Sequence, residues 1–132
     1  MLTDRKKEEF LRIAMDLVPV IDCTNKHVTF IVRRGRIISI GTNSTKTHPQ
    51  AAKLGYRLLQ IHSELAALLN ARGRCDLSRC DLINIRLSSI SNNYIGPVLR
   101  NSRPCSFCMP WCMDTFRRIY YTVDNGWCQI DN

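Results

Sequence analysis

Apolar spacing along this chain switches repeatedly between a helical period and a strand period, and the order of those switches constrains the fold more than any other feature. Residues 4–18 carry Phe10, Ile13, Ala14 and Leu17 at helical spacing opposite a charged face, and Pro19 ends the run. Residues 27–33 alternate, with Val28, Phe30 and Val32 on one face, and residues 36–40 are short and β-branched. Arg34-Gly35 between them predicts a hairpin. Residues 41–50 are polar and read as a loop. Residues 58–71 read as a helix through Ile61, Leu65, Leu68 and Leu69, closed by Arg72-Gly73.

Residues 81–88 predict a strand through Leu82, Ile83, Ile85 and Leu87. Residues 89–103 form a long polar loop with Asn92-Asn93 and Gly96-Pro97, a length that in a small domain is usually functional. A short helix is expected to start near Pro104, with Pro110 inside it as a kink or early stop. Residues 118–123 and 127–131 are strands, separated by the tight-turn signal Asp124-Asn125-Gly126. The resulting order, α-β-β-α-β-α-β-β, predicts an α/β fold in which helices flank one mixed five-stranded sheet. A length of 132 residues fits a single domain over 1–132 with a real core.

Composition narrows the class. With 45% hydrophobic and 23% charged residues, the chain is neither disordered nor fibrous. No apolar run is long enough to span a bilayer, so no membrane partner is expected. The first nine residues are charged and lack the apolar stretch of a signal peptide, which places the expected site of action in the cytoplasm. Seven is an odd number of cysteines, and without an export signal they read as reduced thiols rather than a disulfide framework. Cys23, Cys75, Cys80 and Cys128 read as small buried hydrophobes. Nineteen Lys and Arg against eleven Asp and Glu give a net charge of +8, which favours a polyanionic partner or a phosphorylated ligand. The basic residues are scattered, and a solvated basic surface is the plainer reading.

Two short segments carry chemistry: His62-Ser63-Glu64 and Pro104-Cys105-Ser106-Phe107-Cys108. Cys105 and Cys108 are three apart, so on a first helical turn both sulfurs face one way. Helix N-termini favour thiolates. Two thiolates and one imidazole suit Zn²⁺ and leave a fourth position open. Glu64 can then sit beside the metal as a proton carrier without binding it. The alternatives are a redox Cys-x-x-Cys pair, or a closed structural zinc site completed by Cys112.

The spacing H-x-E…P-C-x-x-C is the signature of zinc-dependent base deaminases. On these residues, and on the order of elements, the chain resembles the cytidine/deoxycytidylate deaminase superfamily. Phage-encoded members look similar around Gly41-Thr42-Asn43, Lys46-Thr47-His48-Pro49, Ile61-His62-Ser63-Glu64 and Ile119-Tyr120-Tyr121-Thr122. The resemblance implies a cytidine deaminase-like fold, Zn²⁺ held by His62, Cys105 and Cys108, and Glu64 as the proton shuttle. Water would replace the exocyclic amine, which leaves as ammonia. It also implies substrate contacts at Asn43 (to the sugar) and at the backbone near Ser63 and Cys105 (to the base). Arg103, a basic residue of the long loop, is a further expected substrate contact. Ser63 stands where many members have Ala, and Cys112 is expected to be a packed thiol.

The short turn between the last two strands excludes a parallel crossover, which needs a dozen or more residues. The last two strands must therefore form an antiparallel hairpin. That resembles the free-cytidine deaminase division and favours cytosine over adenine. The implied partner is a cytosine nucleoside or nucleotide, with nucleotide metabolism as the setting and the host cytoplasm as the location if the chain is phage-encoded. Lys46, His48, Tyr94, Arg100 and Arg103 are expected near the mouth of the site and would equally suit single-stranded DNA or RNA, as in nucleic-acid editing. A non-catalytic zinc-stabilised nucleic-acid-binding module is the reading from outside enzymology. Members of the hairpin division often assemble, so a homo-oligomer is a further expected partner.

Overall fold

Alternation along the central strands sends successive side chains to opposite faces, and helices cover both. The computed structural model describes residues 2–23, 25–46, 48–53, 55, 60–88, 98–124 and 126–131. In chain order the elements are α1 (Asp4–Leu17), a 3₁₀ turn (Val18–Val20), β1 (Asn25–Arg33), β2 (Arg36–Thr42), α2 (Pro49–Lys53) and α3 (Ser63–Ala71). A second 3₁₀ turn (Leu77–Arg79), β3 (Asp81–Ser88), β4 (Val98–Arg100), α4 (Met109–Thr115), β5 (Arg118–Val123) and β6 (Gly126–Asp131) follow. The sheet runs β2-β1-β3-β5-β6, with β4 paired to β3 off that path. β3 and β5 are parallel and the other pairs antiparallel, so the sheet is mixed and its last two strands form the expected antiparallel pair.

Phe10 and Ala14 of α1 pack against Val28, Phe30, Val32, Ile83, Ile85 and Leu87 on one face. The other face buries Ile31, Leu82, Ile119 and Tyr121 under α3 and the segment containing Cys108 and Cys112. Thr3 caps α1 by accepting from Lys6 N at 3.2 Å. The β1–β2 turn places Arg34 at φ 51° and Gly35 at φ 76°, the double positive φ that a two-residue mirror-image turn demands. Gly41 lets α3 lie directly on β2. A Cβ there would come within 2.2 Å of Ala67 N and 2.4 Å of Ser63 O.

The elements depart from expectation in four places. Pro49 opens α2 inside the expected loop, where His48 Nδ1 accepts from Gln50 N at 3.1 Å. The helix expected over 58–71 begins only at Ser63. Ser44 N donates to Ile61 O at 3.3 Å and holds that stretch extended, while residues 58–59 lie outside the described residues. The sheet gains a sixth strand, because Val98–Arg100 of the expected loop pairs with β3 as β4. Asn92-Asn93, Tyr94 and Gly96-Pro97 of that loop, and also Thr47 and Asn125, lie outside the described residues. Finally, α4 starts at Met109 rather than near Pro104, which puts Pro110 in the first turn. A missing N–H needs no partner there, so Pro110 starts the helix instead of kinking it. Among the described residues, no helix is long and apolar enough to cross a membrane.

Candidate metal centre

His62 is the N-cap of α3, with extended backbone at φ −84° and ψ 155° and no capping bond from its side chain. Its Nδ1 lies 3.4 Å from Cys105 Sγ and 3.6 Å from Cys108 Sγ. The donor atoms of His62, Cys105 and Cys108 all fall within 4.8 Å of one another, so the group could hold a metal ion. The two cysteines meet on the single turn that leads into α4. Cys105 O accepts from Cys108 N at 3.1 Å and from Met109 N at 2.8 Å.

Electrostatics favour an anionic donor here. A hydrogen bond from the Cys108 thiol, then His62 and the backbone N–H groups of Cys108 and Phe107, pull the Cys105 thiol down to about 3. The same contact with Cys105 raises the His62 pKa against the opposing effect of burial.

Glu64 follows in the first turn of α3 and is 5% exposed. Burial pushes its carboxyl above the ordinary range, while Ser63 Oγ donates to its Oε1 at 3.0 Å. Ser63 Oγ is also 2.7 Å from Thr29 Oγ1, which bonds in turn to Asn84 Oδ1. The Ser63 hydroxyl is thus turned into the interior.

A cavity of about 410 Å³ opens onto His62, Ser63, Glu64 and Cys105. Asn43 and Arg103 line it as well. Asn43 also clamps the start of β1, accepting from His27 N at 3.0 Å and donating to Asn25 O at 2.8 Å. Arg103 donates to the Tyr121 hydroxyl at 3.2 Å and lies over that ring, 5.8 Å from its centre.

Other basic residues expected at the mouth point elsewhere. His48 caps α2, and Arg100 on β4 bonds Ser88 and pairs with Asp124 at 3.8 Å. Lys46, like both of these, is not among the lining residues. Cys112 is fully buried, which pushes its thiol up, and it stands outside the donor group. Cys23 is partly buried against the α1-side core and also lines the cavity.

Sequence reasoning passed over His27, which also lines the cavity and is held neutral. Burial, then the positive charges of Arg86 and His62, bring its pKa down to about 4. It also passed over Asn84, an Asn inside the apolar run Leu82-Ile83-Asn84-Ile85. A polar residue there was the available signal, since Asn is depleted in strands. No protein-family model matches this chain, and no curated protein matches it.

Proposed function

We propose that the chain is a zinc-dependent hydrolytic deaminase that converts cytosine to uracil in cytidine, deoxycytidine or deoxycytidylate and releases ammonia. The observation that carries this reading is the convergence of one imidazole and two sulfurs, with His62 and Cys105 lining the same cavity as the buried carboxylate of Glu64. With Zn–S near 2.3 Å and Zn–N near 2.0 Å, tetrahedral geometry separates sulfur from nitrogen by about 3.5 Å. The observed 3.4 and 3.6 Å match that span. Zinc held by His62, Cys105 and Cys108 would supply a Lewis acid that lowers the pKa of water toward neutrality.

The remaining work falls to side chains. Glu64, raised by burial, takes a proton from water and returns it to the departing amine. Ser63 fixes the carboxyl through Oε1. Asn43 and Arg103 hold the sugar side of the substrate at the rim. His27, neutral at physiological pH, offers a hydrogen-bonding wall without adding charge. The Arg103 guanidinium on the Tyr121 ring favours a phosphate or a stacked base and supports a second reading, the same chemistry on single-stranded DNA or RNA.

The test is a product assay of the purified protein on deoxycytidine, deoxycytidylate, single-stranded DNA, RNA and adenosine in parallel. Uracil from the small substrates is expected. Uracil from the polymers alone moves the assignment to the second reading, and no product from any substrate with metal bound makes the centre a structural zinc site.

A further inference from the structure

We propose that Asn84 is a positioning residue for the metal centre. It clasps the segment that delivers Cys105 to the helix end that delivers His62 and Glu64. The inference rests on the metal-site reading above.

The sheet itself shows why a clasp is needed. β3 pairs in parallel with β5 only from Asp81 to Asn84, where Asn84 meets Tyr121. Beyond that point β3 pairs with β4 instead, Arg86 opposite Arg100. The sheet therefore forks after Asn84, and the chain leading to Cys105 enters the fork. Ser102 sits in its crotch and is 1% exposed. Ser102 N donates to Thr122 O at 2.8 Å, and Thr122 N donates to Ser102 Oγ at 2.7 Å. Ser102 Oγ donates to Asn84 O at 2.9 Å, and Asn84 Nδ2 donates to Ser102 O at 3.1 Å. Cys105 follows three residues later.

On its other side Asn84 reaches the helix end. Thr29 lies directly opposite Asn84 in the β1–β3 register, and its hydroxyl bonds to Asn84 Oδ1. That hydroxyl also meets Ser63 Oγ, which holds Glu64. Glu64, Ser63, Thr29, Asn84 and Ser102 form one continuous line of buried polar contacts, each no more than 5% exposed. The single Thr29 proton goes to Asn84 Oδ1, and the single Ser63 proton is shared between Thr29 Oγ1 and Glu64 Oε1.

An amide in the middle of a buried strand costs free energy unless it is bonded, and an apolar side chain of equal size would fill the space as well. What the amide adds is direction: it bonds the segment leading to Cys105 at Ser102 O and reaches the helix end through Thr29. Partners standing behind metal ligands typically contribute about 10–100-fold in metal affinity.

The test uses Asn84→Leu, which keeps the volume and removes the bonds, together with Thr29→Val and Thr29→Ser. Each full-length protein is titrated with Co²⁺ against a chelator, its visible ligand-field bands are recorded, and its metal-free Tm is measured. For Asn84→Leu the expected result is a loss of about 10–100-fold in Co²⁺ affinity with altered bands, at a metal-free Tm near the parent's. Thr29→Val should weaken binding, and Thr29→Ser, which keeps the hydroxyl, should restore it.

A folded Asn84→Leu that binds Co²⁺ as the parent does overturns the proposal. If that variant fails to fold, Thr29→Val, which removes the hydroxyl bonded to Asn84 Oδ1, is read in its place, and unchanged affinity there overturns it equally. A parent that takes up no Co²⁺ overturns the metal reading itself, and this inference with it.

Discussion

The two faces of the sheet are built on different principles. Under α1, Phe10, Phe30, Ile83, Ile85 and Leu87 are almost wholly buried, and the Phe10 and Phe30 rings pack at 5.1 Å. Contacts of this kind are set by volume and are nondirectional. A polar tip on that face, the Tyr120 hydroxyl, is buried without a hydrogen-bond partner among the described residues. Under α3, the buried set includes Thr29, Ser63, Glu64, Asn84 and Ser102, each bonded in a fixed direction, together with the sulfurs of Cys108 and Cys112. Both faces carry an apolar core, and the α3 face adds a directed polar cluster that sets where a few atoms stand. The comparison predicts that substitutions under α1 cost stability in proportion to volume, while those under α3 cost function even when volume is preserved.

The largest expected effect is at Glu64. Glu64→Gln is nearly isosteric, so a face governed by volume would not register it. We expect turnover to fall by at least about 10²–10⁴-fold, the usual share of a positioned proton carrier. Denaturant stability should stay within about 1 kcal/mol of the parent, because the shape is retained. A variant that deaminates as fast as the parent would remove Glu64 from the chemistry and erase the contrast. On the opposite face, Phe30→Ala should cost about 3–5 kcal/mol in urea unfolding. Metal affinity, measured where the variant is folded, should not change, since Phe30 packs with α1 and not with the donors. A weakened metal site in this variant would show that the two faces are not separable.

Part of this division is legible in the sequence. β3 and β5 occupy the residues expected of them, because both are β-branched or aromatic runs bounded by polar residues. The donor residues are legible too, through their type and spacing. Ile61 misleads, because its apolar spacing suits a helix while a backbone bond from Ser44 holds it extended. The start of α4 is ambiguous for a similar reason. Pro104 and Pro110 both suit a first turn, and only the turn at Cys105 decides between them. Asn84 is the least legible. Its meaning depends on the register that sets Thr29 opposite it and on the fork that brings Ser102 beside it, and both are long-range pairings.

Gly41→Ala sharpens the comparison at the junction of α3 and β2. The added Cβ meets backbone atoms of Ser63 and Ala67, which cannot turn aside as a side chain can. The helix must move, at a cost of about 1–3 kcal/mol. Because that helix begins with His62, Ser63 and Glu64, zinc affinity should fall together with stability. A drop in Tm with zinc affinity intact would mean that α3 can shift without carrying its N-terminus along.

The smallest effect is the most discriminating, because it compares neighbours. Asn84 and Ile85 are adjacent on β3, both almost fully buried, and point to opposite faces. Ile85→Val removes one methylene from the α1 side and should cost about 0.5–1.5 kcal/mol in chemical denaturation. Its Co²⁺ affinity and ligand-field bands should match the parent's, in contrast to those of Asn84→Leu. If the two variants instead weaken metal binding alike, burial in β3 rather than the direction of the Asn84 amide is what holds the donors in place. The distinction between the faces would then be one of composition alone.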